Sequence, residues 1–162
     1  KMMTIRTATM QDLDSIAAVE KVCFRSAEAA TREELEKRLQ NYPDHFWLQM
    51  DGDRVIAFVD GMVTDEPDLT DDMYTNAAMH REDGAWQMIF GVNTIPEYRR
   101  RGYARRLMRR AMTDAKVQGR KGLVLTCKDR LVPFYASLGF VDEGVSSSVH
   151  GGVVWHQMRM TF

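Results

Sequence analysis

The chain has 162 residues, 44% of them hydrophobic and 28% charged, with a formal net charge of -1. That length and composition suit one soluble domain, spanning 1–162, with a single substantial core, and the near-neutral balance argues against a general nucleic-acid binder. Cys23 and Cys127 both fall in apolar patterns and read as free buried thiols, and no apolar run approaches membrane-spanning length, so a cytoplasmic protein is expected.

Met3 to Ala8 alternates like a first strand. Thr9, with Asp12 three residues on, gives a partial helix-start signal before the amphipathic run from Leu13 to Phe24. Thr31 with Glu34 forms a fuller capping box, opening a second helix to about Gln40, which Asn41-Tyr42-Pro43-Asp44 breaks. Asp51-Gly52-Asp53 between Phe46–Met50 and Arg54–Val59 predicts a hairpin. An acidic loop follows from Thr64 to Asp72, then a short helix over Met73 to His80.

The most informative stretch runs from Trp86 to Gly119. Trp86 to Ile95 reads as one strand, ended by Pro96. After Arg99-Arg100-Arg101-Gly102-Tyr103-Ala104, the residues Ala104, Leu107, Met108, Ala111, Met112 and Ala115 mark one helix face, and Gly119 stops it. A strand therefore feeds through a basic turn into a helix N-terminus, whose unpaired N–H groups and positive dipole end make an anion cradle. The Gly-Lys-Ser/Thr of a P-loop and the Gly-x-Gly-x-x-Gly of a dinucleotide fold are both absent. Residues 99–121 hold ten Lys/Arg against one acid, whereas 60–72 hold six acids and no base, a pairing suited either to an anionic cofactor with a cationic substrate or to two solvated surfaces. A strand at Gly122–Cys127, a helix over 130–138 stopped by Gly139, and closing strands over 140–149 and 153–161 complete a mixed α/β fold in the order β-α-α-β-β-β-α-β-α-β-β.

Arg99-x-x-Gly102-x-Ala104 resembles the acyl-CoA pyrophosphate loop of the GNAT superfamily of N-acetyltransferases. Cys127-x-Asp129-x-Leu131-Val132-Pro133-Phe134-Tyr135-x-x-x-Gly139-Phe140 is similar to the arylalkylamine branch of that superfamily. The likeness, including the Asp-Gly hairpin and the ending Val153–Met158, spans most of residues 5–160. It implies the GNAT fold, with a central mixed sheet, helices on both faces and a splayed strand pair holding acetyl-CoA as cosubstrate. Val92, Asn93 and Thr94 would take the pantetheine, and Arg99, Arg100, Arg101, Gly102, Tyr103, Ala104 and Arg105 the pyrophosphate. Tyr135 would be the general acid that protonates the leaving thiolate, since a phenol of pKa ~10 keeps its proton at neutral pH. Thr126, Val153 and Trp155 would line the amine pocket, with Phe24 read as core.

The resemblance implies an N-acetyltransferase acting on a small arylalkylamine- or polyamine-like amine by direct attack, with no metal, no nucleic acid and no membrane among its partners. A protein N-terminal or lysine acetyltransferase, a non-catalytic acyl-CoA-binding module and a homodimer all stay open. An alkylamine of pKa ~10 must lose a proton before it attacks. The two histidines that the arylalkylamine enzymes present for this correspond here to Met88 and Phe90, neither of which accepts a proton. His80, Glu82, Asp83, His150 and His156 remain as candidate bases, or a water chain from the acidic loop. An acyl-cysteine at Cys127 lacks a nearby histidine in sequence to activate it.

Overall fold

The computed structural model describes residues 2–162; Lys1 lies outside the described residues. Strand β1 (Met3–Thr7) passes through a 3-10 turn into helix α1 (Leu13–Cys23), with the Asp12 carboxylate accepting the Thr9 N–H at 2.8 Å. Helix α2 (Arg32–Asn41) opens on the expected capping box: Thr31 Oγ1 accepts from Glu34 N–H at 3.1 Å, and Glu34 Oε1 from Thr31 N–H at 2.9 Å. Strands β2 (Phe46–Asp51) and β3 (Arg54–Asp60) form the expected hairpin, turned at Gly52 with φ +59°.

Strand β4 (Val63–Thr64) is a short pairing where the acidic loop was expected to begin. The short helix expected over 73–80 is α3 (Asp72–Thr75) followed by a 3-10 turn at Ala77–Met79. Next come β5 (Trp86–Ile89), β6 (Gly91–Thr94), α4 (Tyr103–Val117) and β7 (Gly122–Cys127). Helix α5 (Val132–Ser137) follows a 3-10 turn at Asp129–Leu131, and the chain closes on β8 (Val141–Val145) and β9 (His156–Thr161). Both closing strands are shorter than expected, because residues 146–155 leave the sheet to cover the site described below.

Phe46 stacks against Tyr42 beyond α2, while its neighbour Trp47 donates its indole N–H to Asp114 of α4 at 2.8 Å. Successive strand side chains face opposite ways, so α2 and α4 cover opposite faces of β2. Helix α4 sets Leu107, Met108, Ala111 and Ala115 into one continuous core with Trp47, Phe58 and Val124.

The expected central sheet is divided in two. One sheet has the order β1-β2-β3-β6, and the other β4-β5-β7-β9-β8, in which β5 and β7 run parallel. The single strand expected over 86–95 is broken at Phe90. Its first half pairs with β7 (Met88 opposite Val124), and its second with β3 (Asn93 opposite Phe58). Strands β6 and β7 therefore diverge and leave a gap between the sheets.

Gly61 lies where β3 leaves the first sheet, and a Cβ there would sit 1.8 Å from the Met88 carbonyl oxygen. Because the obstacle is backbone of β5 rather than a mobile side chain, Gly61→Ala should destabilise the protein by about 3 kcal/mol, at the upper end for overpacking. Urea denaturation would read this as a lowered midpoint.

Candidate active site

The gap exposes the free edge of β6. Ile95 N–H bonds the Ile56 carbonyl at 3.0 Å, which together with the antiparallel register turns the main-chain groups of Asn93 toward β3 and those of Val92 and Thr94 toward the gap. The Thr94 carbonyl already accepts from Arg99 Nε at 2.9 Å and from the Cys23 thiol at 3.3 Å. Val92 N–H and C=O and Thr94 N–H are thus the edge groups positioned to bond an extended amide chain. Asn93 instead buries its side chain beneath β3, near the Phe58 carbonyl.

At the far end of β6 the basic turn places two residues in the left-handed region, Arg100 at φ +65° and Gly102 at φ +85°. Arg106 N–H is the first to close onto the helix, bonding Gly102 O at 3.1 Å, and no amide from Arg100 to Arg105 has a backbone acceptor among the described residues. Left-handed residues alternating within a turn aim successive N–H groups inward, which is the form of an anion-binding nest. Arg99, Arg100 and Arg101 are exposed around it; Arg101 lies 5.2 Å from the Tyr98 ring, and Tyr98, hydrogen-bonded to Asp51, lies 6.1 Å from Tyr103. Ala104, on the first turn of α4, carries only a methyl group beside the anion-sized space. The residues present therefore fit a diphosphate followed by an amide-bearing arm, the two anchoring features of coenzyme A.

Arg105 links this turn to helix α5. Its guanidinium stacks 5.4 Å from the Phe134 ring and donates to Ser137 Oγ at 3.1 Å, so the start of α4 and helix α5 are held together. Gly139, at φ +104°, stops α5 and lets Phe140 N–H return to the Tyr135 carbonyl at 3.1 Å. Tyr135 is buried edge-on between Phe134 and Phe140 and lines a pocket at the gap with Val92, Thr126 and Cys127. Burial pushes its phenol well above the ordinary tyrosine value, and the Cys127 sulfur adds to this, so Tyr135 keeps its proton. Cys127 is likewise pushed up to about 11 by burial, with Asp142 and Asp129 contributing, and its thiol lies 3.6 Å from Met158 Sδ. A thiol held protonated in this way is a poor nucleophile.

The same pocket runs toward α1 and α2. Phe24, Phe90, Tyr74, His150 and Trp155 give it aromatic walls, and Glu20, Glu28, Glu34 and Arg38 contribute charge. Tyr74 packs on Phe90 at 4.8 Å and on His150 at 4.7 Å, and its hydroxyl meets Thr126 Oγ1 at 3.0 Å. Trp155 donates its indole N–H to the His150 carbonyl at 2.7 Å, whereas Val153 is half-buried outside the pocket. Phe24, read from the sequence as core, is a pocket wall. Met88 is buried in β5, and Phe90 lies under the Arg38 guanidinium at 5.0 Å.

Of the candidate bases, only His150 reaches the pocket. His156 sits between Asp142 and Asp129 at 3.2 Å from each, and Asp83 is exposed beside Arg81. His80 and Glu82 belong to a cluster with His45, whose ligand atoms are close enough to suggest a metal. His80 Nδ1, however, accepts the Val63 N–H at 3.0 Å, which puts the ring proton on Nε2, where it bonds Glu82 at 2.9 Å. A histidine ligating through Nε2 needs that atom bare. Glu82 instead serves as a structural hub, also meeting His45 at 3.0 Å and Arg120 at 3.2 Å.

The acids read as a surface patch are mostly consumed internally. Asp60 is fully buried and bonds Arg38 at 2.9 Å; Asp65 accepts Ala85 N–H; Asp68 pairs with Arg159 at 2.7 Å; Asp71 accepts Ser148 Oγ and Val149 N–H. The carboxylates that line the pocket come instead from α1, α2 and the loop between them. Sequence reading missed Glu20, which is 5% exposed and forms no ion pair among the described residues. Its signal was available: Leu13, Ile16, Ala17 and Glu20 fall on one stripe of α1, so a carboxylate occupies an otherwise apolar face.

Comparison with known proteins agrees with this geometry. A family model described as the acetyltransferase (GNAT) domain matches residues 12–162. Serotonin N-acetyltransferase of Mesocricetus auratus is 25% identical over 158 residues, covering 95% of this chain and 75% of that protein. The loading GNATL domain of CurA from Lyngbya majuscula superposes with a TM-score of 0.85 at 17% identity, covering 99% of this chain and 98% of that one. The GNAT-like decarboxylase GphF, in complex with isobutyryl-CoA, superposes at 0.84 with 19% identity and 98% coverage of each. The family match over residues 12–162, with which the divided sheet agrees, establishes that the chain belongs to the GNAT acetyltransferase family, enzymes that draw their acetyl group from acetyl-CoA.

Proposed function

We propose that the protein acetylates the primary amine of a small cation by direct attack within a ternary complex, with Tyr135 as the general acid. One observation carries this reading: a single pocket at the strand gap joins a protonated phenol to buried carboxylates under aromatic walls. The amides of residues 100–105 would bind the diphosphate, and the free edge at Val92 and Thr94 would bond the pantetheine arm. The thioester would then lie beside Tyr135, which donates its proton to the departing sulfur. Cys127, held as a thiol, supports direct transfer over an acyl-cysteine route.

A small amine is favoured over a peptide by the cover on the pocket. Residues 146–155 are tied down across it: His150 Nε2 donates to the Glu28 carbonyl at 3.0 Å, and Arg25 donates to the Gly151 carbonyl at 2.9 Å. This leaves space for a compact substrate with an aromatic or aliphatic body. GphF is a GNAT-like decarboxylase, but an acyl carboxylate brought into this pocket would face Glu20, Glu28 and Glu34, while Arg38 is already committed to Asp60 and the Tyr74 carbonyl.

Release of free thiol in the presence of a panel of arylalkylamines, polyamines and peptide N-termini tests the reading. Turnover on small amines with none on peptides is the expected result. Turnover on peptides alone would replace the small amine by a protein substrate, and coenzyme A binding without any turnover would indicate a non-catalytic module. Gly102→Val serves as a cofactor-side check. A Cβ at Gly102 meets nothing within 4 Å, so the penalty comes chiefly from the left-handed φ, which a β-branched residue tolerates poorly. With strain of ~1–3 kcal/mol to relieve by distorting the turn, the variant should raise KM for acetyl-CoA ~10-fold and leave KM for the amine unchanged.

A further inference from the structure

The geometry points to Glu20 as the proton acceptor for the substrate amine, filling the role left vacant by Met88 and Phe90. This rests on the amine-acetyltransferase reading above. Glu20 projects from the buried face of α1 into the pocket that contains Tyr135. Its Oε2 accepts the Ala30 N–H at 2.9 Å, which anchors the carboxyl group, while Oε1 is buried with no hydrogen-bond partner among the described residues. A buried oxygen without a partner costs free energy in the resting protein. Because Glu20 lines the pocket, that oxygen is available to accept an incoming ammonium N–H.

The surroundings tune the group for this task. Burial and, after it, the nearby Asp60 charge raise the Glu20 carboxyl to about 7, against the lowering effects of the Ala30 N–H, Arg38 and Asn93. Cys23 is the other titratable group facing it from α1, and its thiol is itself pushed up by burial, so it adds no charge. A base with a value near the working pH balances availability against proton affinity. Glu28, the other buried carboxylate of the pocket, is unsuited, because Lys128 at 2.8 Å and Arg25 hold it ionised and engaged. His150 has its Nε2 committed to the Glu28 carbonyl and its ring stacked on Tyr74.

Glu20 Oε1 takes one proton from the ammonium and later passes it to water. The neutral nitrogen attacks the thioester carbon, so that C–N forms and C–S breaks, and the sulfur takes the Tyr135 proton. The second nitrogen proton returns to the Tyr135 oxygen as the amide becomes neutral. The net products are amide, free thiol and one released proton.

The test compares wild type, Glu20→Gln and His150→Gln from about pH 6 to about pH 10, with coenzyme A binding followed by calorimetry. Glu20→Gln should bind coenzyme A as wild type does, yet lose ~10²–10⁴-fold in kcat/KM near neutral pH. It should also lose the acidic limb near pH 7 and continue to gain activity toward the amine pKa of ~10. An acyl hydrazide, whose terminal amine is already neutral at pH 7, should erase most of the Glu20→Gln deficit. Wild-type rate and limb in Glu20→Gln, or loss of the limb in His150→Gln instead, would overturn the assignment. If wild type binds coenzyme A but turns over no amine at all, the substrate reading fails and the assignment falls with it.

Discussion

Tyr135→Phe should lower kcat by ~10²–10⁴-fold, the usual contribution of a positioned proton donor, while coenzyme A affinity and unfolding midpoint stay at wild-type values. The substitution removes one oxygen and nothing else. The ring keeps its edge contacts with Phe134 and Phe140 at 5.0 and 6.1 Å, so the packing that holds α5 survives. The hydroxyl makes no hydrogen bond among the described residues, so none is lost in the variant. Because burial pushes the phenol above its ordinary value, the proton is present throughout the neutral range, and the loss should be independent of pH there. Steady-state kinetics beside thermal melts would check this. Equal loss of activity and stability would make Tyr135 a core residue, and unchanged turnover would remove it from the chemistry.

The second large effect is structural. Arg38→Met should destabilise the protein by about 3–5 kcal/mol, the cost of leaving a buried charge without its partner. Arg38 and Asp60 are both buried, bonded at 2.9 Å, and Arg38 also donates to the Tyr74 carbonyl at 2.9 Å. The pair joins α2 to the end of β3 directly beside Phe90, where the sheets part. Pairing Arg38→Met with Asp60→Leu removes both charges, and should recover most of the loss, since a buried pair and an apolar substitute are often close in energy. Urea denaturation of the two single variants and the double variant measures the coupling. A single variant as stable as wild type would show that the pair is not held ionised.

These two expectations differ in how far the sequence supports them. Tyr135 was legible because its neighbours Pro133, Phe134, Gly139 and Phe140 form a specific pattern. The basic turn was legible because an apolar strand, an Arg/Gly break and a 3.6-residue periodicity are local signals that tertiary contacts leave intact. The hairpin at Asp51–Asp53 and the Thr31–Glu34 cap are local in the same sense. The break at Phe90 was not legible. Residues 86–95 have uniform strand character, and the division arises only because Met88 and Asn93 find partners in different sheets. Asp60 looked like one surface acid among six until packing against Arg38 buried it. The cover over the pocket depends on His150 meeting Glu28, residues far apart in the chain, and no periodicity encodes such a contact. Glu20 lies between these cases: its place on an apolar helix stripe was visible, but its unpartnered oxygen was not.

The measurement that bears most directly on the account is a crystal structure of the protein with coenzyme A. The diphosphate should lie on the main-chain amides of residues 100–105, the pantetheine amides should bond the edge of β6 at Val92 and Thr94, and the sulfur should come within hydrogen-bonding reach of Tyr135 Oη. A diphosphate bound elsewhere, or a sulfur remote from that phenol, would contradict it.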